Sequence, residues 1–167
     1  MPHPVVLALF EDAAQAAHAA RALRALGVAR ERVSIVARSH DDEGKVAQAG
    51  DASPGVEFED SATASRLGEL SGHLFAALAM VMPGIGPIVA DGPLAAGLGE
   101  AAGHLAGGIA RMLGRAGLPA AEAAAWEAEI ERGAFLLGAH SHPGLVAAVR
   151  DTIERSGAAR VADGSWE

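Results

Sequence analysis

Residues 4–38 read PVVLALFEDAAQAAHAARALRALGVARERVSIVAR, and residues 133–163 read GAFLLGAHSHPGLVAAVRDTIERSGAARVAD. In the first stretch, Pro4 to Phe10 is a short apolar run with β-branched residues, the signature of a buried strand. Glu11 and Asp12 follow it at the place where a helix N-terminus favours acids. Ala16, Ala19, Ala20, Leu23 and Leu26 make an apolar stripe at helical spacing, and Gly27 ends the helix. Arg32 to Arg38 then reads as a second strand. The second stretch repeats the order. Gly133 to His140 is a strand. Pro143 to Ser156 is a helix with Leu145, Val146, Val149 and Ile153 on one face, stopped by Gly157. Ala158 to Ala162 is a closing strand.

Two strand–helix–strand units of similar length, one at each end of the chain, predict an α+β fold. The arrangement expected is a ferredoxin-like βαββαβ sheet, antiparallel, with both helices on one face. On this reading residues 1–38 and 133–163 form one discontinuous domain. Residues 39–60, rich in Asp, Glu, Gly and Pro, form an acidic solvated linker. Residues 61–132 form a large α-helical insertion between the second and third strands. Its helices are expected at about Ala62–Met82, Pro93–Leu113 and Pro119–Arg132. In the last of these Ala123, Trp126 and Ile130 face inward, and Glu122, Glu127, Glu129 and Glu131 face solvent. In the middle one Leu94, Leu98, Leu105, Ile109 and Met112 form the apolar face.

The insertion carries a Gly/Ala-rich run, Leu70 to Gly117, whose first part holds no charged residue between Leu70 and Ala90. Its second part places Ala95, Gly99, Gly103 and Gly107 four apart, on one face of a helix. Glycine in a helix costs roughly 1 kcal/mol against alanine, so a row of them implies close packing, the small-xxx-small device. Self-association into a homo-oligomer through this stripe is the expectation. A membrane-spanning hairpin is the alternative, since Leu70–Ala90 has the necessary length. Pro83 and Pro87 interrupt it, however, and Glu100 and His104 would lie deep in the bilayer.

Composition bounds the rest. The chain has 167 residues, 50% of them hydrophobic and 4% aromatic, with a net charge of −8 and no cysteine. It can bury a core of Ala, Val and Leu. A net acidic chain lacks the basic face that nucleic acid requires. Disulfides, thiolate metal sites and cysteine nucleophiles are excluded. The opening Met1-Pro2-His3-Pro4 has no charged and apolar leader pattern; a cytoplasmic location is expected, with membrane association as the alternative.

Two groups of side chains suggest chemistry. Glu69 with His73 and Glu100 with His104 are Glu-x-x-x-His pairs. In an antiparallel hairpin all four would meet at one level as ligands for zinc or another divalent metal. The competing reading, which the neighbouring Arg111 and Arg115 favour by repelling a cation, is two intrahelical surface contacts with no cofactor. The second group is His3, His140 and His142. Adjacent antiparallel first and third strands bring His3 near His140, as a solvated cluster or, alternatively, as metal ligands. Gly84-Ile85-Gly86 lacks the third glycine of a dinucleotide fingerprint, and neither a Gly-Lys-Ser/Thr nor a Gly-x-Ser-x-Gly sequence occurs. No enzyme is expected.

PVVLALFEDAAQAAHAARAL, RVSIVAR, PGIGPIVADGPLAAGLG and GLPAAEAAAWEAEIERGAFLLGAH occur in that order. With these segments the chain resembles the general stress protein 17M-like family, which overlaps bacterial domains of unknown function bearing a glycine-zipper insertion. The resemblance implies a non-enzymatic, stress-associated bacterial protein, cytoplasmic or membrane-associated, with no catalytic residues to carry over. Glu100, His104, Arg111 and Arg115 depart from it by placing polar groups where Gly, Ala or Leu is expected.

Overall fold

A computed structural model describes residues 1–38, 78–82, 86–101 and 108–167. The strands are β1 (His3–Phe10), β2 (Val33–Arg38), β3 (Leu78–Met82), β4 (Gly86–Asp91), β5 (Phe135–His140) and β6 (Arg160–Trp166). The helices are α1 (Ala13–Ala25), α2 (Pro93–Ala101), α3 (Gly108–Arg115), α4 (Ala120–Glu131) and α5 (Val146–Arg155). The molecule is of the mixed α+β class. Its strands form one antiparallel sheet in the order β3-β4-β2-β5-β1-β6. In the centre, β5 pairs with both β1 (Val5 opposite His140) and β2 (Val33 opposite Ala139).

The sheet buries side chains on both faces of its central strands, which is why β1, β2 and β5 read as continuous apolar runs rather than alternating ones. Val6, Ala8, Phe10, Val33, Ile35, Ala37, Phe135, Leu137 and Ala139 face α1 and α5. Val5, Leu7, Leu9, Val36, Ile88, Ala90 and Leu136 pack with Leu94 and Leu98 of α2, Ile109 and Met112 of α3, and Trp126 and Ile130 of α4. Both terminal helices therefore cover one face, as expected, and the described helices of the middle segment cover the other. The helix expected through Met82 is corrected: 78–82 and 86–91 are strands that extend the sheet beyond β2. Pairing of β4 with β2, and of β3 with β4, gives this apolar run a stable place that a broken hairpin lacks. Pro87 stands opposite Val81 in the β3–β4 pairing, one residue before the β2–β4 ladder begins at Ile88 opposite Arg38. The rest of the first expected helix, 62–77, and the acidic linker lie outside the described residues, as does Leu105 of the predicted apolar face.

The helix ends are held by side chains from other elements. Asp12 caps α1 by accepting from the Ala14 N–H at 2.7 Å. The Ser34 hydroxyl accepts from Leu94 N–H in the first turn of α2 at 3.0 Å. Glu127 of α4 accepts from Ala110 N–H in the first turn of α3 at 2.8 Å. These contacts satisfy donors that a helix cannot satisfy itself. Glu127 is thus half-buried and tied to α3 rather than simply solvated. Small residues serve these close contacts too. A Cβ on Gly97 would stand 2.7 Å from the Trp166 ring, and one on Gly164 would strike the carbonyl of Ala116, which accepts from Ser165 N–H.

Candidate functional site

The carboxyl end of β5 gathers the groups of interest, because β1 and β2 both begin beside it. His140 leaves the sheet there with 1% of its surface exposed. Its Nδ1 lies 2.9 Å from Nε2 of His3, the neighbour anticipated from strand order. Its Nε2 lies 3.5 Å from Ser34 Oγ, a long contact. Ser34 also accepts from Leu94 N–H, which ties this contact to the first turn of α2. Trp166 stands edge-on to His140 with 6.2 Å between ring centroids, and the Arg115 guanidinium lies over Trp166 at 5.9 Å.

Burial favours the neutral imidazole and lowers the His140 pKa to about 4, with the positive charges of His3 and Arg32 adding to the effect. The ring is therefore neutral near pH 7 and joins the starts of β1 and β2 to the end of β5.

On the same end of the sheet, between the α1–β2 loop and the β5–α5 loop, lies a cavity of about 180 Å³. Gly27, Val28, Ala29 and Arg32 form one wall, and His140, Ser141, His142 and Leu145 the other. Gly27 has φ of +98°, the left-handed turn that a C-capping glycine permits, and this turns the chain away from α1. Ser141 is 3% exposed, and its buried Oγ has no hydrogen-bond partner. An orphaned buried hydroxyl costs on the order of 1–3 kcal/mol. Arg32 and His142 are exposed at the rim. A second hollow of about 240 Å³ involves Glu11, Glu129 and Arg160 at the far end of β1.

The predicted sites fare differently. Of the Glu/His tetrad, Glu69, His73 and His104 lie outside the described residues, and Glu100 falls in the last turn of α2. Of the small-residue stripe, Gly103 and Gly107 lie outside them, Gly99 is on α2, and Ala95 is 8% exposed within the chain's own core. His3 and His140 do meet, but as a hydrogen-bonded pair, while His142 is exposed. Among the described residues no three His, Asp or Glu side chains stand close enough together to hold a metal ion. Among them, too, no helix is long and apolar enough to cross a membrane. Ser34 and Ser141 escaped sequence reasoning. A single serine in an apolar strand or a turn carries no periodic signal, and only strand register reveals its neighbours.

Comparison of the chain with protein-family models, with curated proteins and with solved structures gives no match.

Proposed function

We propose that this chain is a non-enzymatic binding module whose ligand site is the cavity at the carboxyl end of β5. The observation that carries the reading is a benzene-sized cavity rimmed by an arginine and lined by Ser141, whose buried hydroxyl is unsatisfied. Two loops anchored in a doubly covered sheet frame the cavity, the rigid support that a preformed site needs. The core order β2-β5-β1-β6 fits a ferredoxin-like βαββαβ frame into which residues 39–132 are inserted. A stress-associated role in a bacterial cytoplasm, which the 17M-like resemblance implies, belongs to the same proposal.

Amide NMR spectra recorded against a library of small fragments test it. Shifts confined to residues 27–32 and 140–145 are expected. A library that moves no resonance there, or moves resonances all over the sheet, refutes a site at this place.

A second reading, assembly through Ala95, Gly99, Gly103 and Gly107, draws on their four-residue spacing in the sequence, with Ala95 itself already buried in the chain's own core. Light scattering after size exclusion on Gly103→Leu/Gly107→Leu tests it; a mass identical to the parent chain removes the stripe from assembly.

A further inference from the structure

We infer that the cavity takes a small organic monocarboxylate, its apolar tail between Val28 and Leu145 and its carboxylate at the mouth beside Arg32. This rests on the binding reading above and adds the chemical class of the ligand. Three features of the cavity point to it.

The first is size. An apolar cavity of about 150 Å³ accommodates benzene, so about 180 Å³ takes a ring or short branched chain and leaves a charged head at the rim. The second is the division of the lining. Gly27, Val28, Ala29 and Leu145 supply carbon, whereas Arg32, His140, His142 and Ser141 supply nitrogen and a hydroxyl; no carboxylate belongs to the lining. An anion there meets no opposing negative charge, and a guanidinium matches a carboxylate through two parallel N–H···O bonds. The third is Ser141. Its hydroxyl makes no hydrogen bond that would resist rotation about χ1, and a turn toward the cavity would let it donate to a bound carboxylate oxygen. A divalent oxyanion such as phosphate would leave the carbon wall unused. A neutral tail of the same shape would leave Arg32 and Ser141 unmatched.

Titration calorimetry at pH 7 and low salt, with benzoate, benzyl alcohol and inorganic phosphate as probes, tests the inference on the full chain. Benzoate is expected to bind more tightly than either of the others. Arg32→Gln, at an exposed position, is expected to weaken benzoate by about 10-fold or more, the value of a charge-assisted hydrogen bond. Ser141→Ala should weaken it about 2- to 10-fold. Leu145→Trp should abolish binding by filling the space. Benzyl alcohol or phosphate binding as tightly as benzoate, or unchanged affinity in Arg32→Gln, overturns the carboxylate while a cavity ligand survives. Benzoate binding undiminished in Leu145→Trp places it elsewhere and overturns the inference. If no probe binds and no fragment shifts residues 27–32 and 140–145, both readings fall together.

Discussion

Acidification should destabilise this fold through one imidazole. His140 has a folded-state pKa of about 4 against an ordinary value of 6.5. Above pH 6.5 it is neutral in both folded and unfolded chains and creates no difference. As pH falls below 6.5 the unfolded chain takes up a proton that the folded chain refuses until about pH 4. Stability is thus present above the unfolded pKa and lost on the way down. One proton corresponds to about 1.4 kcal/mol per pH unit, so a gap of about 2.5 units amounts to about 3 kcal/mol across the window. Other titrating groups add their own slopes. The contribution of His140 is therefore read as a difference between the parent chain and His140→Gln, whose amide does not titrate. Urea unfolding at pH 7, 6, 5 and 4.5 should show the two stability curves converging by about 1 kcal/mol per unit below pH 6. The imidazole resonance of His140 should keep its neutral shift down to about pH 4.5. Parallel curves, or an imidazole that titrates near 6.5, would refute the sealed neutral ring.

Three further perturbations test the packing. Gly164→Ala drives a methyl group into the Ala116 carbonyl, a backbone atom that cannot swing aside, and should lower stability by about 1–3 kcal/mol in urea unfolding. Leu94→Ala empties the fully buried position between α2 and Gly138 and should cost about 2–5 kcal/mol, read as a fall in the unfolding midpoint at unchanged slope. Asp12→Ala removes the α1 cap and should cost about 1 kcal/mol; amide exchange should quicken in the first turn of α1 more than in its last.

The sequence is informative where pattern and length agree. β1, α1, β2, β5 and α5 announce themselves by apolar runs of strand length alternating with helical stripes, and strand order alone predicts that His3 meets His140. The inward faces of α2, α3 and α4 are equally legible: Leu94, Leu98, Ile109, Met112, Ala123, Trp126 and Ile130 are all buried. The run 78–91 is not. LAMVM has no charge, GPIVAD carries only its terminal Asp91, and neither is long enough or alternates clearly enough to distinguish a buried strand from buried helix, so only the pairing of β4 with β2 and of β3 with β4 decides. The candidate cavity is legible only in part. His140 and His142 stand out as a pair, but Arg32, Val28 and Ser141 join them through the meeting of two loops far apart in the chain. The unpartnered state of one hydroxyl has no counterpart in sequence.

The central position of β5 also shapes how the protein must be made. β1 finds its partners in β5 and β6, and β2 finds its own in β4 and β5; the two do not pair with each other. On a ribosome the first 38 residues therefore emerge with two apolar strands and no ladder to join them. About 100 further residues separate Arg38 from His140, roughly 5–20 s of synthesis. During that interval PVVLALF has no strand partner at all, a natural point of engagement for a chaperone, while VSIVAR can pair along one edge only, with β4. Arrival of β5 closes both gaps in one step.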